Sequence, residues 1–409
     1  MTTTTATANA TLSTIALADN VQQLRLNEEK SSSNSSELSR AIYNGYNDTT
    51  EQNQDEKYTE FDLDGRGTKR FALPEGYRFS DVLPSYPAIH DQTLGDIEFN
   101  DRGLLADPSF SNLLRDVTKI EHLSRDVGTV LHGLRLNRLN EAQRDELARL
   151  IAERGVVYFP DQKEMTNDEF QQLGRYYGKT HVHGANARPN DPSKSDFHVV
   201  YSDRYTAFDI EDNRTDLERF HSDVSYEKQP LATTFFRGLT VPKYGGDTVF
   251  VSGYAAYEAL SDPLKLYLEG LTAVHSGVQQ ANAKKELGLN LRREGIETAH
   301  PIVRTHPVTG WKALYVNPGF TRYIVGIPRA ESDAILNYLF QLLSTLSAST
   351  IRVRWSPYGV AAWDNRIILA HSATYDHYPQ TRHFIRIGVH GEKPFYDPNS
   401  KERAKELQK

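Results

Sequence analysis

Apolar positions in this chain recur at two periods, and the change from one to the other divides it. Val127, Val130, Leu131 and Leu134 predict a short strand and turn. A helix follows: Asn140 and Gln143 form a capping-box pattern, Leu147, Leu150 and Ile151 supply one apolar face, and Gly155 ends it. Val156-Val157-Tyr158-Phe159 then reads as a buried strand, and Thr166 with Glu169 opens a second capped helix that closes at Gly178. Beyond His181 the period falls to two. Short β-type runs at residues 232–236, 247–251, 313–316, 351–355 and 383–389 are separated by turns, and one amphipathic helix interrupts them over residues 329–346. Many short strands with a few helices on one flank predict a mainly β fold with flanking helices, a double-stranded β-helix or jelly-roll barrel.

The ends of the chain read differently. Residues 1–58 are rich in Thr, Ser, Asn and acidic side chains with few periodic apolar positions, so ordering them would not repay the lost conformational entropy, and a disordered tail is expected. Residues 59–118, studded with Pro, Gly and aromatic side chains over 71–107, predict an extended arm packed on the main body without regular structure of its own. Residues 119–409 form the compact domain. With 47 basic against 54 acidic side chains the chain offers no broad positive surface for nucleic acid or anionic lipid, which points to a small-molecule partner. Cysteine is absent, which excludes disulfides, thiolate metal sites and cysteine nucleophiles, so any metal must rest on His, Asp or Glu. No stretch approaches the roughly 20 apolar residues of a membrane helix, and the start lacks the order of a secretory signal, so a cytoplasmic enzyme is expected.

Among fourteen histidines, one set stands at a spacing that chemistry requires. His221 and Asp223 are two apart, and on an extended strand such residues project from one face. A second histidine downstream would complete a two-His, one-carboxylate triad that leaves open positions on Fe(II), and His371, beyond the turn at Asp364-Asn365, is the candidate. In residues 381–390, Arg382, Phe384, Arg386 and Gly388 share one face, and His383, Ile385, Ile387 and Val389 the other. Facing a barrel interior, the two guanidinium groups need anionic partners; on an edge strand they would lie in water. Trp355 and Trp363 read as core packing, and His306 as part of a hairpin turned at residues 307–310.

The ordered pieces His221-Ser222-Asp223-Val224-Ser225-Tyr226, Gly245-Gly246-Asp247-Thr248, Arg304-Thr305-His306-Pro307-Val308-Thr309-Gly310, Trp363-Asp364-Asn365-Arg366 with His371, and Arg382 with Arg386 make the chain resemble the taurine dioxygenase family, and within it the fungal sulfonate dioxygenases. The resemblance runs from about Val127 to Tyr396. It implies Fe(II) on His221, Asp223 and His371, with 2-oxoglutarate and O₂ as cosubstrates and the far carboxylate of 2-oxoglutarate on Thr248 and Arg382. It also implies a substrate anion on Arg386 and on His183, with His181 close enough to exchange roles, and it makes residues 364–366 a brace for the strand of the second histidine. Two substrate positions depart from the taurine enzyme: Asn186 replaces a tyrosine and Leu217 an asparagine, so Asn186 would meet a different or broader sulfonate. The implied reaction hydroxylates the carbon next to sulfur and releases an aldehyde and sulfite; alkyl sulfates, aryloxy-acids or purines are the alternatives within the family, and a non-catalytic jelly-roll binding module the alternative outside it. Neither nucleic acid nor membrane is an expected partner, and the resemblance implies a homo-oligomer.

Overall fold

The computed structural model describes residues 58–62, 70–74, 76–91, 95–189, 191–203, 219–374, 376–377 and 380–408. The expected disordered tail, Tyr58 apart, and Leu217 lie outside the described residues. The chain divides into units Met1–Tyr58 and Thr59–Lys409, and the site lies wholly within the second.

Ten strands position the site: β1 Lys119–His122, β2 Thr129–His132, β3 Val156–Phe159, β4 His198–Ser202, β5 Leu231–Thr240, β6 Thr248–Ser252, β7 Thr350–Val353, β8 Val360–Asp364, β9 Ile368–Ala373 and β10 Arg382–His390. The larger sheet has the order β1-β2-β3-β8-β5-β10-β4 and is antiparallel except where β2 meets β3. The smaller has the order β7-β6-β9 and is antiparallel throughout. Val130, Val156, Phe236, Trp363 and Phe384 from the larger sheet and Phe250, Ile351, Val353 and Ile368 from the smaller form one buried cluster, so the two sheets face each other across it. The result is a mixed α/β fold around a mostly antiparallel sheet; among the described residues hydrogen bonds do not join the sheets into a closed barrel.

Two helices cover the outer face of the larger sheet, α1 Glu141–Arg154 and α2 Asn167–Tyr176. Both capping boxes form: the Asn140 side chain accepts from the Gln143 amide and the Thr166 hydroxyl from the Glu169 amide, each answered by the reciprocal bond. Leu147 and Ile151 of α1 and Phe170 and Leu173 of α2 pack on Phe235, Ile385, Ile387 and Val389. Alternation along β5 and β10 thus sends Phe235, Ile385 and Ile387 outward under the helices and Phe236 and Phe384 inward between the sheets. β10 lies between β5 and β4 and all nine of its residues are buried, which rules out the water-facing edge-strand reading of its arginines.

The arm is more structured than its composition predicts. Ser80–Val82, Arg102–Leu105 and Ser111–Leu114 form short helical turns, the second capped by Asp101, which accepts from the Gly103 amide at 2.8 Å. Val82 and Leu113 join the core under α1. The turn at residues 307–310 closes a hairpin between Val303–Thr305 and Lys312–Leu314, as expected. Among the described residues no helix is long and apolar enough to cross a membrane.

Candidate metal centre and anion pocket

A pair of backbone hydrogen bonds brings the two distant histidines together. The His371 amide donates to the His221 carbonyl at 2.9 Å and the His221 amide donates back at 3.3 Å, an isolated antiparallel bridge beside the edge of β9. His221 is the last extended residue of its segment. The chain then turns, with the Ser225 amide donating to the Ser222 carbonyl at 3.3 Å, so Asp223 joins His221 across a turn and not by the strand alternation expected from the spacing. Val224 within that turn has φ of 42°, a left-handed conformation that a β-branched residue adopts only under tertiary constraint. Asn365 supplies the constraint. Its side-chain oxygen accepts from the Asp223 amide at 3.2 Å and from Trp363 Nε1 at 3.0 Å, while its carbonyl accepts from Ser222 Oγ at 2.7 Å.

The nearest ligand atoms of His221, Asp223 and His371 all lie within 4.8 Å of one another. His371 Nε2 is 3.3 Å and His221 Nε2 3.7 Å from Asp223 Oδ1. Bonds of about 2.1 Å at right angles would set ligand atoms about 3 Å apart, so these separations suit one octahedral face with little movement. The protonation states suit it too. His221 Nδ1–H donates to the Arg219 carbonyl at 2.8 Å, which leaves the Nε2 lone pair toward Asp223 and His371. Burial, and then the His371 imidazole, lower the His221 pKa to about 3, so this ring is neutral near pH 7. Burial alone would raise the Asp223 carboxyl, but Arg386 and then His371 hold it well below the usual carboxylate range. Two imidazoles, that of His221 neutral, and one carboxylate form a donor set of the kind that holds a divalent iron. Asp223 Oδ2 accepts from Thr234 Oγ1 at 2.8 Å, and Asn365 Nδ2 donates to that hydroxyl at 2.9 Å, so the carboxylate is aimed from behind.

Thr248 and Arg382 stand on one side of this centre. β6 carries Thr248 opposite Ala373 of β9, two residues beyond His371. Its hydroxyl accepts from Trp355 Nε1 at 3.1 Å. Arg382, 1% exposed, donates through Nε to the Gly246 carbonyl at 3.0 Å and lays its guanidinium 4.1 Å from the Phe384 ring centre. Both tryptophans are core residues, but each uses its indole N–H on a site residue, Trp355 on Thr248 and Trp363 on Asn365.

Arg386 donates through Nη1 to Asp223 Oδ1, which sets it beside the triad. His183 lies nearby but is occupied. The Ala185 and Asn186 amides donate to its Nδ1 at 3.0 and 3.1 Å, and its Nε2 meets the Asn186 side-chain amide at 3.1 Å. His181 is engaged elsewhere, by Glu227 and Arg293, each 3.2 Å from its Nε2. Residues 364–366 tie together several buried polar groups. Asp364 and Arg366 form a buried network with His306, Asp101 and Glu392, and Asn365 positions Asp223. The hairpin histidine is therefore a buried ion-network member. Thr234, the indole contacts and His198, which lies opposite Arg386, escaped the sequence reading because no local motif marks them.

Comparison with known proteins agrees with this geometry. The family model described as taurine catabolism dioxygenase TauD, TfdA family matches residues 119–387. A candidate alpha-ketoglutarate-dependent sulfonate dioxygenase of Schizosaccharomyces pombe is 58% identical over 372 residues, 91% of this chain and 94% of the relative. An alpha-ketoglutarate-dependent sulfonate dioxygenase of Saccharomyces cerevisiae is 36% identical over 80% of this chain and 82% of its own length. Among solved structures, a taurine dioxygenase from Burkholderia xenovorans superposes with a TM-score of 0.57 at 28% identity, covering 70% of this chain and 95% of that one. A family match that spans most of the compact domain, joined to a relative alike along nearly its whole length, assigns the chain to the TauD and TfdA family of Fe(II)- and 2-oxoglutarate-dependent dioxygenases.

Proposed function

We propose that the chain is an Fe(II)- and 2-oxoglutarate-dependent dioxygenase, built as a jelly-roll barrel over residues 119–409 with the arm 59–118 packed on it, that hydroxylates a small sulfonate at the carbon next to sulfur. His221, Asp223 and His371 would hold the metal, and Thr248 and Arg382 the far carboxylate of 2-oxoglutarate. When bound, Fe(II) with 2-oxoglutarate and O₂ supplies the oxidation of a substrate C–H bond to C–OH, the ketoacid leaving as succinate and CO₂. The protein's own contribution is aim and charge.

Buried charge carries the reading. Asp223 contributes one negative charge, Arg382 and Arg386 two positive ones, and all three side chains are buried. A divalent ion and a dianionic ketoacid cancel each other, which leaves one positive charge that is costly to bury without a partner. A monoanionic headgroup beside Arg386 removes that cost and fixes which carbon faces the metal. A sulfonate is a monoanion at all physiological pH values, and its oxygens suit the planar guanidinium fork. The sulfonate activity named for two relatives supports the same class. Hydroxylation next to sulfur gives an α-hydroxysulfonate, whose C–S bond breaks as the hydroxyl proton leaves, yielding an aldehyde and sulfite.

The test is turnover across a panel of butane-1-sulfonate, taurine, butyl sulfate, phenoxyacetate and xanthine, with succinate and sulfite measured together and His221→Ala as blank. Sulfite equal to succinate for a sulfonate is the expected result. Turnover confined to sulfate, aryloxy-acid or purine overturns the sulfonate assignment, and succinate from none of them overturns the enzyme.

A further inference from the structure

His198 stands in β4 directly opposite Arg386 of β10 in the antiparallel register. Cross-strand partners in such a pair share a face with side chains about 5 Å apart at Cβ, so His198 projects to the face of Arg382, Phe384 and Arg386 that looks into the site. Arg386 and Asp223 are among the charges that act on its ring, and the ring centre is 5.2 Å from that of His183. The residue is half-buried.

One ring nitrogen sets it apart from its neighbours. Nδ1 is buried and has no hydrogen-bond partner. A buried polar atom left unpaired calls for an explanation, and a ligand that supplies the missing bond is one. His183 is the contrasting case. Two backbone amides donate to its Nδ1, and its Nε2 meets the Asn186 side-chain amide at 3.1 Å. Both nitrogens of His183 are thus committed inside the protein. His181 is committed to Glu227 and Arg293. Of these three imidazoles, His198 is the one with a buried ring nitrogen left unpartnered.

We propose that His198 hydrogen-bonds the anionic headgroup of the substrate directly, completing with Arg386 a two-sided clamp. This deepens the sulfonate reading and rests on it for the choice of anion. A planar guanidinium reaches two oxygens of a tetrahedral headgroup, and the third, turned out of that plane, needs a donor from another direction. The imidazole across the strand pair provides it without adding charge, which keeps the balance at one positive charge for one anion.

The experiment is calorimetric titration of butane-1-sulfonate, butyl sulfate and butanoate into enzyme loaded with Mn(II) and 2-oxoglutarate, comparing wild type with His198→Ala, His198→Phe and His198→Gln, alongside steady-state kinetics with Fe(II). Loss of a bond to a charged group should weaken the anion that wild type binds by about 10- to 100-fold in the Ala and Phe variants. Gln, which keeps a donor, should recover part of that loss. The change should fall on KM far more than on kcat, with Mn(II) and 2-oxoglutarate affinities unchanged. Phe preserves the ring volume, so Phe binding like wild type would show that His198 only packs, and Ala binding like wild type would end the proposal. The wild-type preference among the three anions judges the sulfonate reading separately: if wild type favours butyl sulfate or butanoate, that reading fails while the variant-to-wild-type ratio still decides His198. Wild type that binds none of the three overturns both.

Discussion

Replacing Asn365 by Ala should separate the centre from its support. The Asn365 side chain accepts from the Asp223 amide and Trp363 Nε1 and donates to Thr234 Oγ1, which in turn holds Asp223 Oδ2. Asn365, Asp223, Thr234 and Trp363 are each no more than 1% exposed, so water does not readily replace the lost partner. Each buried donor left unpaired costs about 1–3 kcal/mol, so two donors give a loss of about 2–6 kcal/mol in folding stability before relaxation. The Asp223 carboxylate also loses the group that orients its hydroxyl partner, and losses of such supporting contacts weaken metal binding by about 10- to 100-fold. Urea unfolding would measure the first quantity and calorimetric Mn(II) titration of folded protein the second. Thr234→Val, which removes only the hydroxyl, should give the smaller effect on both. Mn(II) affinity within twofold of wild type in Asn365→Ala, whatever the stability, would refute the claim that this residue aims the carboxylate.

Arg382→Leu should raise the KM for 2-oxoglutarate at least about 30-fold, since a buried charge partner is worth 2 kcal/mol or more, whereas Thr248→Val, losing a neutral donor, should cost about 2- to 10-fold; equal effects of the two would contradict the assigned division of labour. Stability should fall on acidification from pH 6.5 toward pH 4. His300, His383 and His390 are buried and burial lowers each to about 4, so the unfolded chain, titrating near 6.5, binds the protons that the folded one refuses. The stabilising difference is present above pH 6.5 and is lost at about 1 kcal/mol per pH unit for each histidine; urea unfolding at pH 7, 6 and 5 checks this, and a flat profile would contradict it.

Most of what is local could be read from the residues. The capping boxes at Asn140 and Thr166 involve only neighbours, and so does the alternation that puts Arg382, Phe384 and Arg386 on one face, though that this strand is buried follows from its place between two others. The triad members could be picked out by type and spacing, but the reason they meet could not. His221 and His371 are joined by a backbone bridge between segments 150 residues apart, and Asp223 reaches them through a turn whose left-handed Val224 is imposed by Asn365, a residue remote in sequence. Thr234 sits in an ordinary β run and nothing beside it announces a carboxylate partner. His198 gains meaning only through its register against Arg386. The helical turns of the arm are masked for another reason: Asp101 before Gly103 is a local capping signal, but it stands in a stretch dense in Pro and Gly.

Anaerobic addition of Fe(II) and 2-oxoglutarate to the purified protein, followed by visible absorption, interrogates the triad and the ketoacid site in one titration. One iron per chain should produce a charge-transfer band that requires both additions, and His371→Ala and Asp223→Ala, shown by urea unfolding to be folded, should abolish it. A band that survives in His371→Ala, or wild-type protein that takes up iron and ketoacid without developing one, would contradict the metal centre described for this chain.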